Sequence, residues 1–252
     1  MTLEIITVEA LKPVRHGFFT RRGGASSGVF QGLNCGRGSS DLAEVVEINR
    51  DRAAQAMDAT ARDLRGLHQT HSARAVIAPD EPGVAPADAD AIVTRRPGLV
   101  LAVLTADCAP VLFADREAGV VGAAHAGWRG ALEGVLESTI ERMEELGADR
   151  SRISAVIGPT ISQRAYEVGP EFFDTFMTED PEYGRFFAGG AGDRAHFDLP
   201  GFALWRMREA GIGNAEWSGH CTYSDPALFF SYRRSLHEKR ADYGRLISLI
   251  RL

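Results

Sequence analysis

The chain has 252 residues, 44% of them hydrophobic, enough to bury a full core without disulfide or metal staples. A formal net charge of −6 gives it no general pull toward nucleic acid or an anionic membrane surface. Its three cysteines, Cys35, Cys108 and Cys221, are odd in number and lack C-x-x-C spacing, which argues against a disulfide framework and fits a reducing cytoplasm.

In chain order, "MTLEIITVEAL" carries an acidic residue where a secretory leader needs positive charge, and it has no long apolar core. "RRGGASSGVFQGLNCGRGSSD" (21–41) is a Gly/Ser-rich loop, either a plain surface loop or one whose backbone approaches a ligand closely. A helix is expected from Asp41, with Asp41 and Glu44 as a capping pair and Leu42, Val45, Val46 and Ala53 on one face. "SARAVIAPD" and "ADAIVT" read as strands, and "LVLAVLTADC" and "GVVGAAHAG" as strands buried on both faces. The longest apolar stretch, "GLVLAVLTADCAPVLFAD", is interrupted by Asp107 and does not read as a membrane span.

A helix follows, with Leu132, Leu136, Ile140 and Met143 at helical spacing and Gly147 at its end. "ISAVIGP" reads as a strand, and "PEFFDTFM" and "PGFALWRMREAG" as helices opened by proline, the second capped by Asp198. "AEWSG", "LFFSY" and "GRLISLIRL" complete the strands, and "SYRRSLHEKRADYGR" reads as a solvated or anion-pairing basic loop. The pattern predicts an α/β (mixed α+β) chain, with mixed sheets covered by helices in a single domain over 1–252. A cytoplasmic protein with no nucleic-acid or membrane partner is expected.

Among seven histidines, His71 and His125 stand out beside Cys108. Buried strands adjacent in sequence tend to pair, which would bring the ends carrying Cys108 and His125 together. Two imidazoles and a thiolate suit Zn²⁺ or copper far better than Mg²⁺ or Ca²⁺. Three protein ligands leave a fourth position for a water whose pKa falls toward about 7. Against this, a buried Cys is commonly a small hydrophobe, and a strand-end His commonly a hydrogen-bonded core residue. Asp107 would face away from Cys108 on an extended strand, and so support it from behind or cap a turn. His68, three residues before His71, faces the other way on a strand.

"GWRG" opens a helix, where backbone N–H groups and the Arg129 fork suit phosphate or carboxylate; a surface ion pair is the alternative. Trp128 reads as packing. Glu167, beside Tyr166, is a structural carboxylate or a general acid or base.

"HQTHS", "TADCAPVLFAD", "AAHAGWRG", "IGPTISQRAYEVGPE" and "FFSYRR…YGR" together resemble the laccase-domain family, in order and over nearly the whole chain. Its members, once called multicopper polyphenol oxidases, are described as purine nucleoside phosphorylases with adenosine deaminase activity; some are linked to peptidoglycan editing. The resemblance implies sheets sandwiched between helices. It implies a catalytic zinc on His71, Cys108 and His125, and substrate contacts at Arg21, Asn34, Gln69, Tyr166 and Glu167. It further implies phosphorolysis of adenosine, inosine and methylthioadenosine and deamination of adenosine, with nucleoside and phosphate as small-molecule partners. Arg129 is the candidate for the phosphate. Ser235 departs from the family pattern, where Asp is common.

Three other readings compete. A copper oxidase would need several metal sites, and the chain has no H-x-H pair. A cysteine hydrolase would use Cys108 as nucleophile and His125 as base, on an amide such as a peptidoglycan precursor. A non-enzymatic zinc module usually offers four protein ligands.

Overall fold

The computed structural model describes residues 2–81, 84 and 86–252. Long hydrophobic runs become two central sheets facing each other. The first has the order β1 (Ile5–Ile6), β2 (Arg15–Phe19), β14 (Leu246–Arg251), β6 (Val100–Thr105), β3 (Leu64–Arg65). The second has the order β13 (Asn214–Trp217), β9 (Ser154–Ile157), β7 (Ala109–Asp115), β8 (Val120–Ala126), β5 (Ala91–Thr94), β4 (Ala75–Ile77). Both mix parallel and antiparallel pairs. A small third sheet holds β10 (Glu167–Val168), β12 (Ala195–Phe197) and β11 (Phe187–Gly189).

Every residue of β7 and β8 is buried. Alternation along the pleat sorts them. Leu112, Ala114, Val121 and Ala123 pack toward the first sheet with Leu101, Val103 and Ile250. Val111, Phe113, Val120 and Ala124 pack on the other face, under α2 (Trp128–Glu133), α3 (Val135–Glu145), α4 (Pro170–Glu179) and α5 (Leu199–Glu209). Helix α1 (Ala43–Ala56) covers the outer face of the first sheet, where Ala53 meets Val100, Ala102 and Ile247. Two sheets sandwiched between helices is the expected mixed α+β arrangement. No helix is long and apolar enough to cross a membrane.

Several local expectations are corrected. The "LVLAVLTADC" run does not pair with "GVVGAAHAG". It ends as β6 at Thr105 and pairs with β14 and β3, while the following "APVLFAD" forms β7 and pairs with β8. Asp107, at φ +95°, turns the chain from one sheet to the other. The long helix after β8 is two helices, because Gly134 takes φ +102°, which ends α2. Asp41 and Glu44 do not form a capping box: α1 has no side-chain cap, and Asp41 accepts hydrogen bonds from Asn34 and the Leu42 N–H instead. Leu42 is exposed rather than on the buried face. "LFFSY" is a turn leading into α6 (Tyr232–His237), with Ser231 capping the Arg234 N–H, so the basic segment begins as helix rather than loop.

Candidate metal centre and its cavity

Each of the three central side chains is delivered by a different local device. His125 is the penultimate residue of β8, opposite Pro110 of β7, and shares the pleat parity of Val121 and Ala123. It therefore points into the layer between the sheets. Cys108 occupies the turn that enters β7. That turn is fixed by Asp107, whose carboxylate accepts from Thr222 Oγ1 at 2.6 Å, Ser231 Oγ at 3.0 Å and the Arg233 N–H at 2.6 Å. Its carbonyl accepts from the Ile161 N–H and from Thr160 Oγ1. Asp107 thus caps a turn. Its left-handed backbone, costly for a non-glycine residue by about 1–3 kcal/mol, is over-determined by these bonds.

His71 lies in a loop between β3 and β4, also with a left-handed backbone at φ +61°. Gln69 ties this loop to β6: its side-chain amide donates to the Leu104 carbonyl at 2.7 Å and accepts the Leu104 N–H at 2.8 Å. The buried Asp90 carboxylate gathers the loop. It accepts the N–H groups of Thr70, His71 and Ser72 at 3.1, 3.0 and 2.7 Å, and the Ser72 hydroxyl at 2.8 Å. The same carboxylate lies 2.8 Å from His125 Nδ1, which leaves Nε2 for the site.

The result is a compact donor set. One ligand atom each from His71, Cys108 and His125 lies within 4.8 Å of the others, and Cys108 Sγ is 3.8 Å from His71 Nε2. The imidazoles meet edge to face, centroids 4.8 Å apart. Gly127 makes room: a Cβ there would stand 2.8 Å from His71 Cδ2 and 3.1 Å from Cys108 Sγ. Burial alone would raise the Cys108 thiol, but His125 and His71 outweigh it and bring it down to about 6. Burial alone would depress His125, but Cys108 and Asp90 hold it up at about 9. Burial also works against the Asp90 charge, yet His125 and Ser72 keep its carboxyl well below the usual range. The donors are thus a thiolate and ring nitrogens fixed by a buried carboxylate, a set that fits Zn²⁺ or copper. It is the one such group among the described residues.

The cluster opens into a cavity of about 1020 Å³ between the first sheet, the β4–β5 edge of the second, the His71 loop and Arg50 midway along α1. Gln69, Leu104 and Thr105 line it beside the cluster, and Arg50, Arg65 and Arg245 elsewhere along its wall. A second hollow of about 400 Å³, around Arg15, Arg116 and Arg251, shares no residue with it.

Of the sequence-derived candidates, the cavity wall brings together His71, Cys108, His125 and Gln69. His68 lines the cavity too, paired with Asp88 at 2.7 Å and outside the donor set. Arg129 is exposed, its guanidinium 5.3 Å from the Trp128 ring, and does not line the cavity. Trp128 packs on Phe172 and Phe176. Tyr166 sits among Phe172, Phe197 and the Arg233 guanidinium. Burial first, then the Cys108 charge, pushes the Tyr166 phenol up. The Glu167 carboxylate lies 3.7 Å from Arg194, and its backbone carbonyl accepts from Arg233. Arg21 donates to the Gln31 and Pro226 carbonyls and lies over Phe230. Asn34 is fully buried and makes hydrogen bonds to Ser39, Asp41, Gly36 and Arg245. Sequence reasoning missed Asp90, which stood in "ADADAIVT" as one acid beside a strand, and Arg50, hidden in a charged helix stretch.

Residues 15–252 match the model of a family described as multi-copper polyphenol oxidoreductase laccase. A Deinococcus radiodurans protein named purine nucleoside phosphorylase is 41% identical over 246 residues, covering 95% of this chain and 89% of the relative. Proteins of the same name from Pseudomonas aeruginosa and Escherichia coli are each 37% identical, covering 94% and 92% of this chain and 93% and 90% of the relatives. Among solved structures, a Neisseria meningitidis protein superposes with a TM-score of 0.89 at 36% identity, covering 100% of this chain and 99% of its own. YlmD from Geobacillus stearothermophilus superposes with a TM-score of 0.87 at 27% identity, covering 97% and 93%.

Proposed function

The chain belongs to the multi-copper polyphenol oxidoreductase laccase family, and from that premise we propose that it is a zinc-dependent purine nucleoside phosphorylase. Adenosine, inosine and methylthioadenosine are its proposed substrates, and deamination of adenosine a second activity. The observation that carries the reading is the His71, Cys108, His125 cluster on the wall of a cavity large enough for a nucleoside and a phosphate. The relatives' name supplies the reaction class.

In phosphorolysis a phosphate oxygen bonds to C1′ of the sugar as the C1′–N9 bond breaks. The electron pair leaves with the purine, which takes up a proton, and the products are sugar 1-phosphate and free base. His71, Cys108 and His125 would hold the zinc ion, which would supply Lewis acidity to the reaction. The chain's own part is positioning: Asp90 fixes the His125 ring through Nδ1 and the His71 loop through its N–H groups. Gln69 holds that loop against β6. One three-donor group supports a single ion better than the several coppers of a multicopper oxidase.

A nucleoside panel assayed with and without phosphate tests this. Phosphate-dependent release of base with an equal yield of sugar 1-phosphate is expected. Base release indifferent to phosphate contradicts the phosphorylase reading, and adenosine giving no inosine contradicts the deaminase one.

One observation favours a second reading. Cys108, His125 and Asp90 also form a thiolate, imidazolium and carboxylate series, the order a cysteine hydrolase uses. Full activity on an amide substrate in chelator, lost on thiol alkylation, would select it over zinc.

A further inference from the structure

The cavity wall carries an unbalanced charge. Arg50 on α1, Arg65 on β3 and Arg245 just before β14 all line it, and no carboxylate does among the described residues. Arg50 is 6% exposed and Arg65 8%. Arg50 donates from Nη1 to the Cys35 carbonyl at 3.2 Å, forms no ion pair among the described residues, and its buried Nε has no partner. Arg65 donates to the carbonyls of Pro79, Arg62, Leu64 and Asp80, which orient it without neutralising it. Arg245 has only a distant carboxylate, Asp242 at 3.8 Å. Two further arginines line the cavity: Arg37, neutralised by a two-pronged bond to Glu47, and Arg62, which is exposed to solvent. Thr105 Oγ1, also on the wall and buried, has no partner either.

Buried cations without counter-charge are costly, and a bound anion removes that cost. Arg50 and Arg245, each with one side-chain hydrogen bond to a backbone carbonyl and further N–H groups open, together with the positive charge of Arg65, suit an anion with several oxygens, such as a phosphoryl group, and arginine is the side chain that matches it. The loop at 34–36 couples two of them. Asn34 Oδ1 accepts the Arg245 N–H at 2.9 Å, the Cys35 N–H donates to the Arg245 carbonyl at 3.0 Å, and the Cys35 carbonyl holds Arg50. Gly36 lets the Arg245 stem pass, since a Cβ there would lie 2.3 Å from Cδ.

We propose that Arg50, Arg65 and Arg245 form a phosphoryl-anion subsite in the cavity shared with the His71–Cys108–His125 cluster, with Asn34 as a positioning residue. This rests on the phosphorylase reading for its substrate, and it moves the phosphate from Arg129, which stands outside the cavity, to the cavity wall.

The test is binding rather than turnover. The metal-loaded protein is titrated calorimetrically with inorganic phosphate, with adenosine 5′-monophosphate and with adenosine, in phosphate-free buffer. Arg245→Gln is the main variant, because that side chain is 23% exposed and its loss is tolerable to the fold. Its phosphate dissociation constant should rise about tenfold or more, with adenosine affinity unchanged within about twofold. Weakening of phosphate alone assigns the subsite to free phosphate, weakening of the monophosphate alone to a phosphate ester, and weakening of both to one shared subsite. Weakening of neither, or weakening in Arg129→Gln but not Arg245→Gln, overturns the proposal. Should Arg245→Gln fail to fold, modification of the wild-type protein by phenylglyoxal is read by mass spectrometry. Phosphate should protect Arg245, and absence of protection overturns the proposal. Phosphate that binds without any phosphorolysis counts against the phosphorylase reading and leaves the subsite standing.

Discussion

One carboxylate serves both histidines: Asp90 Oδ1 lies 2.8 Å from His125 Nδ1 and accepts the backbone N–H of His71 at 3.0 Å. The ring of one candidate ligand and the main chain of the other are thus referenced to a single buried group. Asp90→Asn keeps the shape but replaces an acceptor with a donor among N–H groups. Metal affinity should fall about 10–100-fold, as for other carboxylates that orient a ligating histidine. Competition with a chromophoric chelator measures it; affinity equal to wild type would show that Asp90 serves the fold alone.

Gly127 sets the space between the ligands. In Gly127→Ala the new methyl meets His71 Cδ2 at 2.8 Å and Cys108 Sγ at 3.1 Å, closer than real Cβ contacts allow or nearly so. The ligands must part, and zinc stoichiometry should drop well below that of the wild type at equal circular dichroism. A fully loaded variant would show that the site tolerates the expansion.

The thiol chemistry gives a pH signature. In metal-free protein Cys108, brought down by His125 and His71 against its burial, should lose its proton with a midpoint of about 6. Its folded value is depressed, so the thiolate dominates above that midpoint and alkylation slows as pH falls through it. Cys35, fully buried and pushed up to about 12, should stay unreactive. Cys221, brought down by Ser162 and Ser224 against its burial, should also react. Peptide mapping separates the two, and added zinc should protect Cys108 but not Cys221. A Cys108 midpoint near 9, or no protection, contradicts the assigned surroundings.

The Asp107 turn carries Cys108 into the cluster. Asp107→Ala leaves Thr222, Ser231 and the Arg233 N–H without their acceptor and places alanine at φ +95°. A loss of about 3 kcal/mol, roughly 6–12 °C in Tm, is expected. A shift under about 2 °C by calorimetry would mean the turn is held by its backbone bonds alone.

The layers of the fold were legible because β7 and β8 are buried throughout, α3 carries its apolar period openly, and prolines mark the starts of α4 and α5. What the periodicity concealed was a boundary. "LVLAVLTADCAPVLFAD" reads as one run, and only the left-handed Asp107 separates β6 from β7 and sends them to different sheets. Cys108 and His125 therefore meet through β7 and β8, a neighbouring pair different from the one the run suggests. The donor set was singled out by the family resemblance, since among seven histidines and three cysteines the strand-end positions alone fit core residues equally well. Asp90 was not, since either acid of "ADAD" looks like a turn residue, and its role depends on a loop that returns from His71. Arg50, Arg65 and Arg245 were scattered because nothing in linear order joins α1, β3 and β14.

Anomalous scattering from untreated crystals, collected on both sides of the zinc and copper edges, identifies the ion at the cluster. One zinc peak per chain is expected, bonded to Cys108 Sγ and to ring nitrogens of His71 and His125. A copper signal there, or no ion at those three residues, would contradict it.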